Sequence, residues 1–304
     1  MNKRVVKCVV CMGLAVATVF GSCLVNKISS NAASVTERTS SYKINVNHDF
    51  SIMSQNVKYQ QDKDGVNNTI DKRFERLCNQ LDKYDTDIKC FQEFNSSWKS
   101  RVQKKLTTEE YYYVQSPYKN TKLSNAIFVK KSKFSYIDSG YMVLTETSSD
   151  TSDRSRYASW MKVKHKKTGK VLVVMNAHTT PYCVNRLLQS CQRIKNSAII
   201  KNADNYIIAG DFNMRSQVNA KSYNTMLSNG TKDMCKTAKK EGIRYVVGGT
   251  FHKWETKSIN ERPRLDYFFG SPNLNSSMYT LLNDKYNGGH ISDHYGIMNY
   301  VTFK

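Results

Sequence analysis

Three observations make this chain an α/β domain built of layered sheets and helices. Its 304 residues, 39% of them hydrophobic, suffice for one large domain with a sizeable core. Short strand-like apolar runs recur between stretches whose apolar residues fall at helical spacing. No second composition regime and no internal repeat divides the chain, so one domain behind a leader is the simplest organisation.

In chain order, Phe50 to Tyr59 reads as a strand. Ile70, Phe74, Leu77 and Leu81 repeat at helical spacing and predict an amphipathic helix over 69–84, capped by Asn68 or Thr69. Asp87 to Phe94 is a strand. Ser96 or Ser97 then caps a short helix carrying Trp98, Val102 and Leu106. Tyr111-Tyr112-Tyr113 reads as a strand filling a core, and Ala126 to Val129 as another. Tyr157 to His165 and Val171 to Thr179 flank Lys167-Thr168-Gly169-Lys170, a hairpin pattern. Val184, Leu187, Leu188, Cys191, Ile194 and Ala198 mark the clearest helix, and Tyr206 to Ala209 is a buried strand. Later strands fall at 264–270, 278–282 and 295–303.

The first 33 residues differ from the rest. Lys3, Arg4 and Lys7 precede an apolar run from Cys8 to Val25, and Ser30, Asn31, Ala32 and Ala33 offer a small-residue cleavage site, the order of a secretory signal peptide. The run is also near the length of a membrane span, so an uncleaved anchor is the alternative. Cys23, after Gly21 and Ser22, is a lipoprotein attachment candidate, although Phe20 suits that motif poorly. Residues 34–46 are polar and read as a flexible lead-in, leaving 47–304 as the single folded domain.

Formal net charge is +21; four basic residues and no acid sit in the leader, leaving +17 on the rest. Such a charge favours polyanionic partners such as nucleic acid, an anionic membrane or phosphorylated small molecules. A lysine-rich solvating surface accounts for it equally well, because the lysines are spread along the chain. Beyond the leader remain Cys78, Cys90, Cys183, Cys191 and Cys235, an odd number that leaves at least one thiol unpaired in a monomer. Cys183 and Cys191 are close enough in sequence to pair, with buried thiols as the alternative. No Cys/His spacing suggests zinc.

The chemistry-bearing residues stand where strands end. They are Asn56 in Gln55-Asn56-Val57, Glu93 in Phe91-Gln92-Glu93, His178 in Asn176-Ala177-His178, Asp211 and Asn213 in Gly210-Asp211-Phe212-Asn213, Asp266 in Leu265-Asp266-Tyr267, and Asp293 and His294 in Ser292-Asp293-His294. A rigid sheet can present side chains so placed to one cleft. Hydrolysis of a phosphodiester needs a cation on the phosphate oxygens, an activated water and help for the leaving alkoxide. Glu93, Asp211 and Asp293 are hard oxygen ligands suited to Mg2+, with Mn2+ or Ca2+ as alternatives. His178 and His294 titrate near neutrality and can move protons, and Asp266 is the candidate to orient His294. Taken singly, Asn56 and Asp266 read as turn or cap residues. Glu93 is less easily dismissed, since a buried carboxylate needs a cation or a donor.

The ordered series resembles the endonuclease/exonuclease/phosphatase superfamily, which includes deoxyribonuclease I, exonuclease III, neutral sphingomyelinases, inositol polyphosphate phosphatases and deadenylases. The match spans roughly residues 50–304. It implies a deoxyribonuclease I-like four-layer α/β sandwich, two packed mixed β-sheets flanked by helices. It also implies a metal site of Glu93, Asn56 and Asp293, with Asp211 orienting or deprotonating the attacking water and Asn213 holding the phosphate. His294 with Asp266 becomes general base or phosphate-binding imidazole, and His178 stabilises or protonates the developing charge. Arg156, in Arg156-Tyr157-Ala158-Ser159-Trp160, is similar to an arginine that steadies the site, with Arg154 competing and a plain salt bridge the alternative. Arg186 lies on a polar helix face and reads as solvent-facing. Thr250-Phe251-His252-Lys253-Trp254 resembles a substrate-side loop, so His252 is a substrate-binding candidate, with loop packing the alternative for it and Trp254.

The substrate is only partly legible. His178 separates the chain from the exonuclease III branch. Where deoxyribonuclease I carries a glutamate supporting that histidine, Ser124-Asn125-Ala126-Ile127 stands here. The charge favours nucleic acid, so a secreted Mg2+-dependent nuclease cutting DNA or RNA is the first expectation. A sphingomyelinase-like phospholipase C acting on membrane lipid, or another phosphoesterase, is the alternative. Nothing demands a protein partner or more than a monomer.

Overall fold

Alternation along the strands decides the architecture of the computed structural model. The structure describes residues 46–61, 64–117, 123–147, 154–255 and 258–304. The leader and the lead-in up to residue 45 lie outside the described residues. In β1 (Phe50–Asn56), Phe50 and Ile52 enter one core while Met53 enters another. In β7 (Val171–His178), Leu172 and Val174 join the first core, and Val173, Met175 and Ala177 join a third. Successive strand side chains point to opposite faces, so strands apolar on both faces are covered on both.

Two mixed sheets result. The first contains β1, β2 (Ile88–Gln92), β3 (Tyr111–Gln115), β4 (Ala126–Lys130), β10 (Ile243–Arg244), β12 (Leu274–Leu282) and β13 (Gly296–Phe303), in the order β10-β12-β13-β1-β2-β4-β3. The second contains β5 (Phe134–Thr145), β6 (Arg156–His165), β7, β8 (Tyr206–Asp211), β9 (Lys232–Asp233) and β11 (Asp266–Gly270), in the order β5-β6-β7-β8-β11-β9. Each sheet has a central parallel pair, β1 with β2 and β7 with β8. Parallel neighbours need a crossover. It is supplied by α1 (Ile70–Tyr84) in the first sheet, and by α3 (Val184–Asn196) and α4 (Ala198–Lys201) in the second. The remaining helices are α2 (Ser96–Lys105), α5 (Ala220–Leu227) and α6 (Met234–Glu241). One core lies between the sheets, one under α1 and α2 with Leu77, Leu81, Trp98 and Val102, and one under α3 and α5 with Leu187, Cys191, Ile194 and Met226. Each fully buried aliphatic or Phe side chain contributes roughly 1.5–3 kcal/mol. The expected four-layer sandwich is what forms.

Several local expectations differ in detail. The first strand stops at Asn56 rather than Tyr59, because the Asn56 Oδ1 accepts the Lys58 backbone N–H at 2.8 Å and turns the chain, with Lys58 at φ 50°. The second helix is capped by Asn95, whose Oδ1 accepts the Trp98 N–H, not by Ser96 or Ser97. The helix from Val184 breaks at Ser197, whose extended backbone and Oγ begin α4 anew. The 167–170 hairpin forms as read, with Gly169 at φ 71°. Strand β5 leaves no clear period in the sequence because two register irregularities break its alternation and much of its surface is exposed. All five described cysteines are free thiols: Cys183 stands at the N-cap of α3 while Cys191 is buried in its core, so of the two readings left open for them the unpaired one holds.

Gly210, at φ 138°, sits against β7 so closely that a Cβ would lie 1.9 Å from the Ala177 carbonyl oxygen. Gly210→Ala is therefore expected to destabilise the fold by more than about 3 kcal/mol, since both backbone conformation and space are denied. An unchanged urea midpoint and slope would refute this.

Candidate active site

The same alternation aims the strand-terminal polar residues into one place. Asn56 shares parity with Phe50 and Ile52, Gln92 with Ile88 and Cys90, His178 with Leu172 and Val174, Asp211 with Ile207 and Ala209, and Asp266 with Phe268. All five continue the inter-sheet face at a strand end. In the second sheet they are direct neighbours, because Asp211 pairs in register with His178 on one side and Asp266 on the other. In the first sheet Asn56 pairs with Gln92. A cross-sheet hydrogen bond ties the two walls: Gln92 Nε2 donates to Asn176 Oδ1 at 2.7 Å, while Asn176 Nδ2 donates to the carbonyls of Phe91 and Ala126.

Asp211 Oδ2 is the meeting point. It accepts Asn56 Nδ2 at 3.0 Å and lies 3.5 Å from His178 Nε2 and 3.7 Å from His294 Nε2. The same Asn56 amide donates to Glu93 Oε1 at 3.1 Å, and Glu93 Oε2 accepts the Tyr59 backbone N–H. Glu93 follows β2 at φ 56° and Asn213 follows β8 at φ 47°, conformations that non-glycine residues adopt at a cost and that recur at functional sites. Asn213 N–H caps Asp211 Oδ1, and its side-chain amide donates to the Thr179 carbonyl. His294 arrives on a loop. Its Nδ1–H donates to Asp266 Oδ2 at 2.9 Å, and Gln55 Nε2 holds its carbonyl. Thr250 Oγ1 accepts from the Leu265 and Asp266 backbone N–H groups, and Phe251 bridges to His294, which fixes the imidazole to its carboxylate.

Electrostatics divide the two histidines. Burial alone would lower His294, but Asp266 and Asp211 overcome it and raise it to about 10, so it is an imidazolium at neutral pH. His178 is held well below its ordinary value by burial, then by Arg156 and His294, and is neutral. Its Nδ1 has no hydrogen-bond partner among the described residues, and Asn125, near the position of the supporting glutamate, donates instead to the Tyr157 carbonyl. Burial pushes Asp211 up to about 7, partly offset by His294. Glu93 is raised by burial and then by the like charge of Asp293.

Glu93 and Asp293 bring two like-charged, mutually repelling carboxylates together, and Asn56 stands beside them with its Nδ2 on Glu93 and its Oδ1 engaged by the Lys58 N–H. A hard divalent cation relieves that repulsion, so these residues fit such an ion. Asp211, Asp266 and His294, with ligand atoms within 4.8 Å of one another, are a second group that could hold one. There the His294 Nδ1 is already engaged by Asp266, an arrangement that orients an imidazole.

Arg156, not Arg154, belongs to the site: Arg156 is 3% exposed at the start of β6 and acts on His178, while Arg154 is exposed. Arg186 donates to the Glu146 carbonyl. His252 is fully buried, stacked on Tyr295 at 4.2 Å and set against His290 and Trp254; its backbone N–H donates to the Asp293 carbonyl, and its own carbonyl accepts from Arg262. That geometry corrects the substrate-binding expectation in favour of loop packing, because the ring surface is already covered. Two residues absent from the sequence reading are Lys58 and Asp64. A basic residue directly after the Gln55-Asn56-Val57 strand end was the available signal.

The endonuclease/exonuclease/phosphatase family model matches residues 44–294. A Bacteroides thetaiotaomicron protein of that family, solved by crystallography, is 23% identical, with TM-score 0.74, covering 84% of this chain and 98% of its own. A mannosyl-6-phosphatase from the same organism is 24% identical, with TM-score 0.71 over 84% of this chain and 100% of its own. TDP2 of D. rerio, complexed with a single-strand DNA product, is 23% identical, with TM-score 0.63 over 83% and 98%. At these identities the likeness concerns the fold. No curated protein matches the sequence.

A raised folded-state pKa means that the folded protein holds the proton more tightly than the unfolded chain. The His294 contribution to stability is thus full below about pH 6.5 and lost as pH rises through about 10. In melts of the metal-free protein, the advantage of wild type over His294→Gln is expected to shrink between those values. A constant difference would refute the assignment.

Proposed function

Because the chain belongs to the endonuclease/exonuclease/phosphatase family, a superfamily of hydrolytic phosphoesterases, we propose that it is a divalent-metal-dependent phosphodiesterase acting on DNA or RNA. The convergence of Asn56, His178 and His294 on Asp211 carries this reading. Asp211, with a pKa near neutrality, takes the proton of the attacking water through Oδ2. Neutral His178 donates its Nε2–H to a nonbridging oxygen as charge develops. His294 is the phosphate-binding imidazolium rather than the base, and Asp266 fixes its tautomer. Asn213 and Arg156 orient the phosphate. Glu93 and Asp293, with Asn56 beside them, would hold a divalent ion, most simply Mg2+, which when bound would supply Lewis-acid charge to the reacting phosphate.

The charge of +17 on the chain beyond the leader supports a polyanionic substrate, and a relative of this fold is bound to a DNA product. Export through the leader is part of the proposal, resting on the basic start and apolar run of residues 1–33. The likeness to a mannosyl-6-phosphatase favours a second reading, hydrolysis of a sugar phosphate monoester.

The deciding assay presents supercoiled plasmid, single-stranded DNA, RNA, sphingomyelin vesicles and hexose 6-phosphate in parallel, with Mg2+ or chelator. Chelator-sensitive nucleic-acid cleavage, reduced ~10³-fold in Asp211→Asn, is expected. Phosphate release from the sugar ester without strand cleavage would transfer the assignment to the second reading, and phosphocholine release to a lipid substrate. No hydrolysis of any substrate would sink it.

A further inference from the structure

Lys58 has no role in the chemistry above, yet its polar groups converge on the same site. Its backbone N–H fixes the Asn56 Oδ1 at 2.8 Å, and so the amide that bridges Glu93 and Asp211. Its carbonyl accepts both Arg73 Nη1 and Trp98 Nε1 at 2.9 Å. Arg73 is fully buried and stacks against Trp98, so the clamp is rigid, and it holds Lys58 in a left-handed conformation at φ 50°. A strained backbone gripped from both sides is a costly way to place one ordinary surface lysine.

The side chain shows where the strain points. The Lys58 Nζ lies 3.2 Å from Asp64 Oδ1, 3.4 Å from Gln61 Oε1 and 3.7 Å from Asp293 Oδ2. An ammonium has three N–H donors. Asp64 and Gln61 take two; the third makes no hydrogen bond among the described residues, with Asp293 only at ion-pair distance and the Tyr59 ring centroid 5.8 Å away. The Lys58 side chain is 10% exposed and that of Asp293 16%, whereas that of Asp211 is 2% exposed, so the Lys58 and Asp293 side chains are the more open to solvent. An internal salt bridge with Asp64 explains the first contact but not the placement beside Asp293.

We propose that Lys58 is a further catalytic residue, whose ammonium, anchored by Asp64, donates to a nonbridging oxygen of the substrate phosphate next to the cation site. Asp64 offsets the charge of Lys58 before substrate arrives, so the ammonium can face the phosphate without repelling a metal ion from Glu93 and Asp293. This rests on the phosphate-ester reading of the site, and it adds a contact that the Asp211 and histidine chemistry does not need.

The test measures three quantities in the full chain and in Lys58→Met, Lys58→Gln and Lys58→Arg: inorganic phosphate affinity in the presence of Mg2+, Mg2+ affinity, and kcat/KM on whichever phosphate ester the wild type cleaves. Lys58→Met is expected to weaken phosphate binding and lower kcat/KM by roughly 10–100-fold, the range for losing a hydrogen bond to a charged group. Mg2+ affinity should stay within threefold, and Lys58→Arg should recover most of the loss. Lys58→Gln keeps a polar side chain and gives the same reading should the methionine variant fail to fold. Phosphate affinity and kcat/KM within twofold of wild type would overturn the proposal. An equal loss of Mg2+ affinity would overturn it too, by making Lys58 a support for Asp293. Should the wild type bind phosphate but cleave no ester, a loss of that binding in Lys58→Met would uphold Lys58 while the functional reading falls.

Discussion

The two-residue period of the β-strand is the constraint from which the site follows. In each sheet the central parallel pair has one face toward the other sheet, and the last residue of that face is polar: Asn56, Gln92, His178 and Asp211. A slip of one residue in any of these strands would turn its functional group toward a helix layer. The apolar core between the sheets therefore holds the register, and the Gln92–Asn176 hydrogen bond fixes the distance between the walls. Gly210 allows β8 to approach β7 closely enough for His178 and Asp211 to stand side by side.

Burial then sets the chemistry. Asp211, His178 and His294 are each at most 6% exposed, so their mutual charges are poorly screened. One imidazole gains two carboxylate neighbours and keeps its proton. The other is pushed down by burial, and further by a neighbouring arginine, and loses it. Two histidines at similar distances from the same carboxylate oxygen are thus made into different reagents. Their neighbours do this, since their positions about Asp211 are nearly equivalent.

The second ring of residues is built to hold the first. Asn56, Lys58, Arg73 and Trp98 form a continuous chain of hydrogen bonds from Glu93 to the helix layer. On the opposite side, Thr250, Phe251 and Arg262 fasten the loop that delivers Asp293 and His294. Both assemblies use backbone conformations or buried cations that would be liabilities elsewhere, and both terminate on the groups that face the phosphate in the proposed reaction.

Much of this was legible in the chain alone. Alternating apolar runs and helical repeats marked the layers, because burial on one or two faces leaves a period in the sequence. The order of strand-terminal motifs marked Asn56, Glu93, His178, Asp211, Asp266 and His294, because strands end where side chains can meet a ligand. Other features were beyond its reach. The cap at Asn95, the break at Ser197 and the irregular edge strand β5 depend on local competition between hydrogen bonds, which leaves no periodic trace. The choice of Arg156 over Arg154, the burial of His252 and the placement of Lys58 depend on neighbours tens to hundreds of residues away. Spacing records which way a side chain faces within its own element; what it meets there is fixed only when the two sheets close on each other.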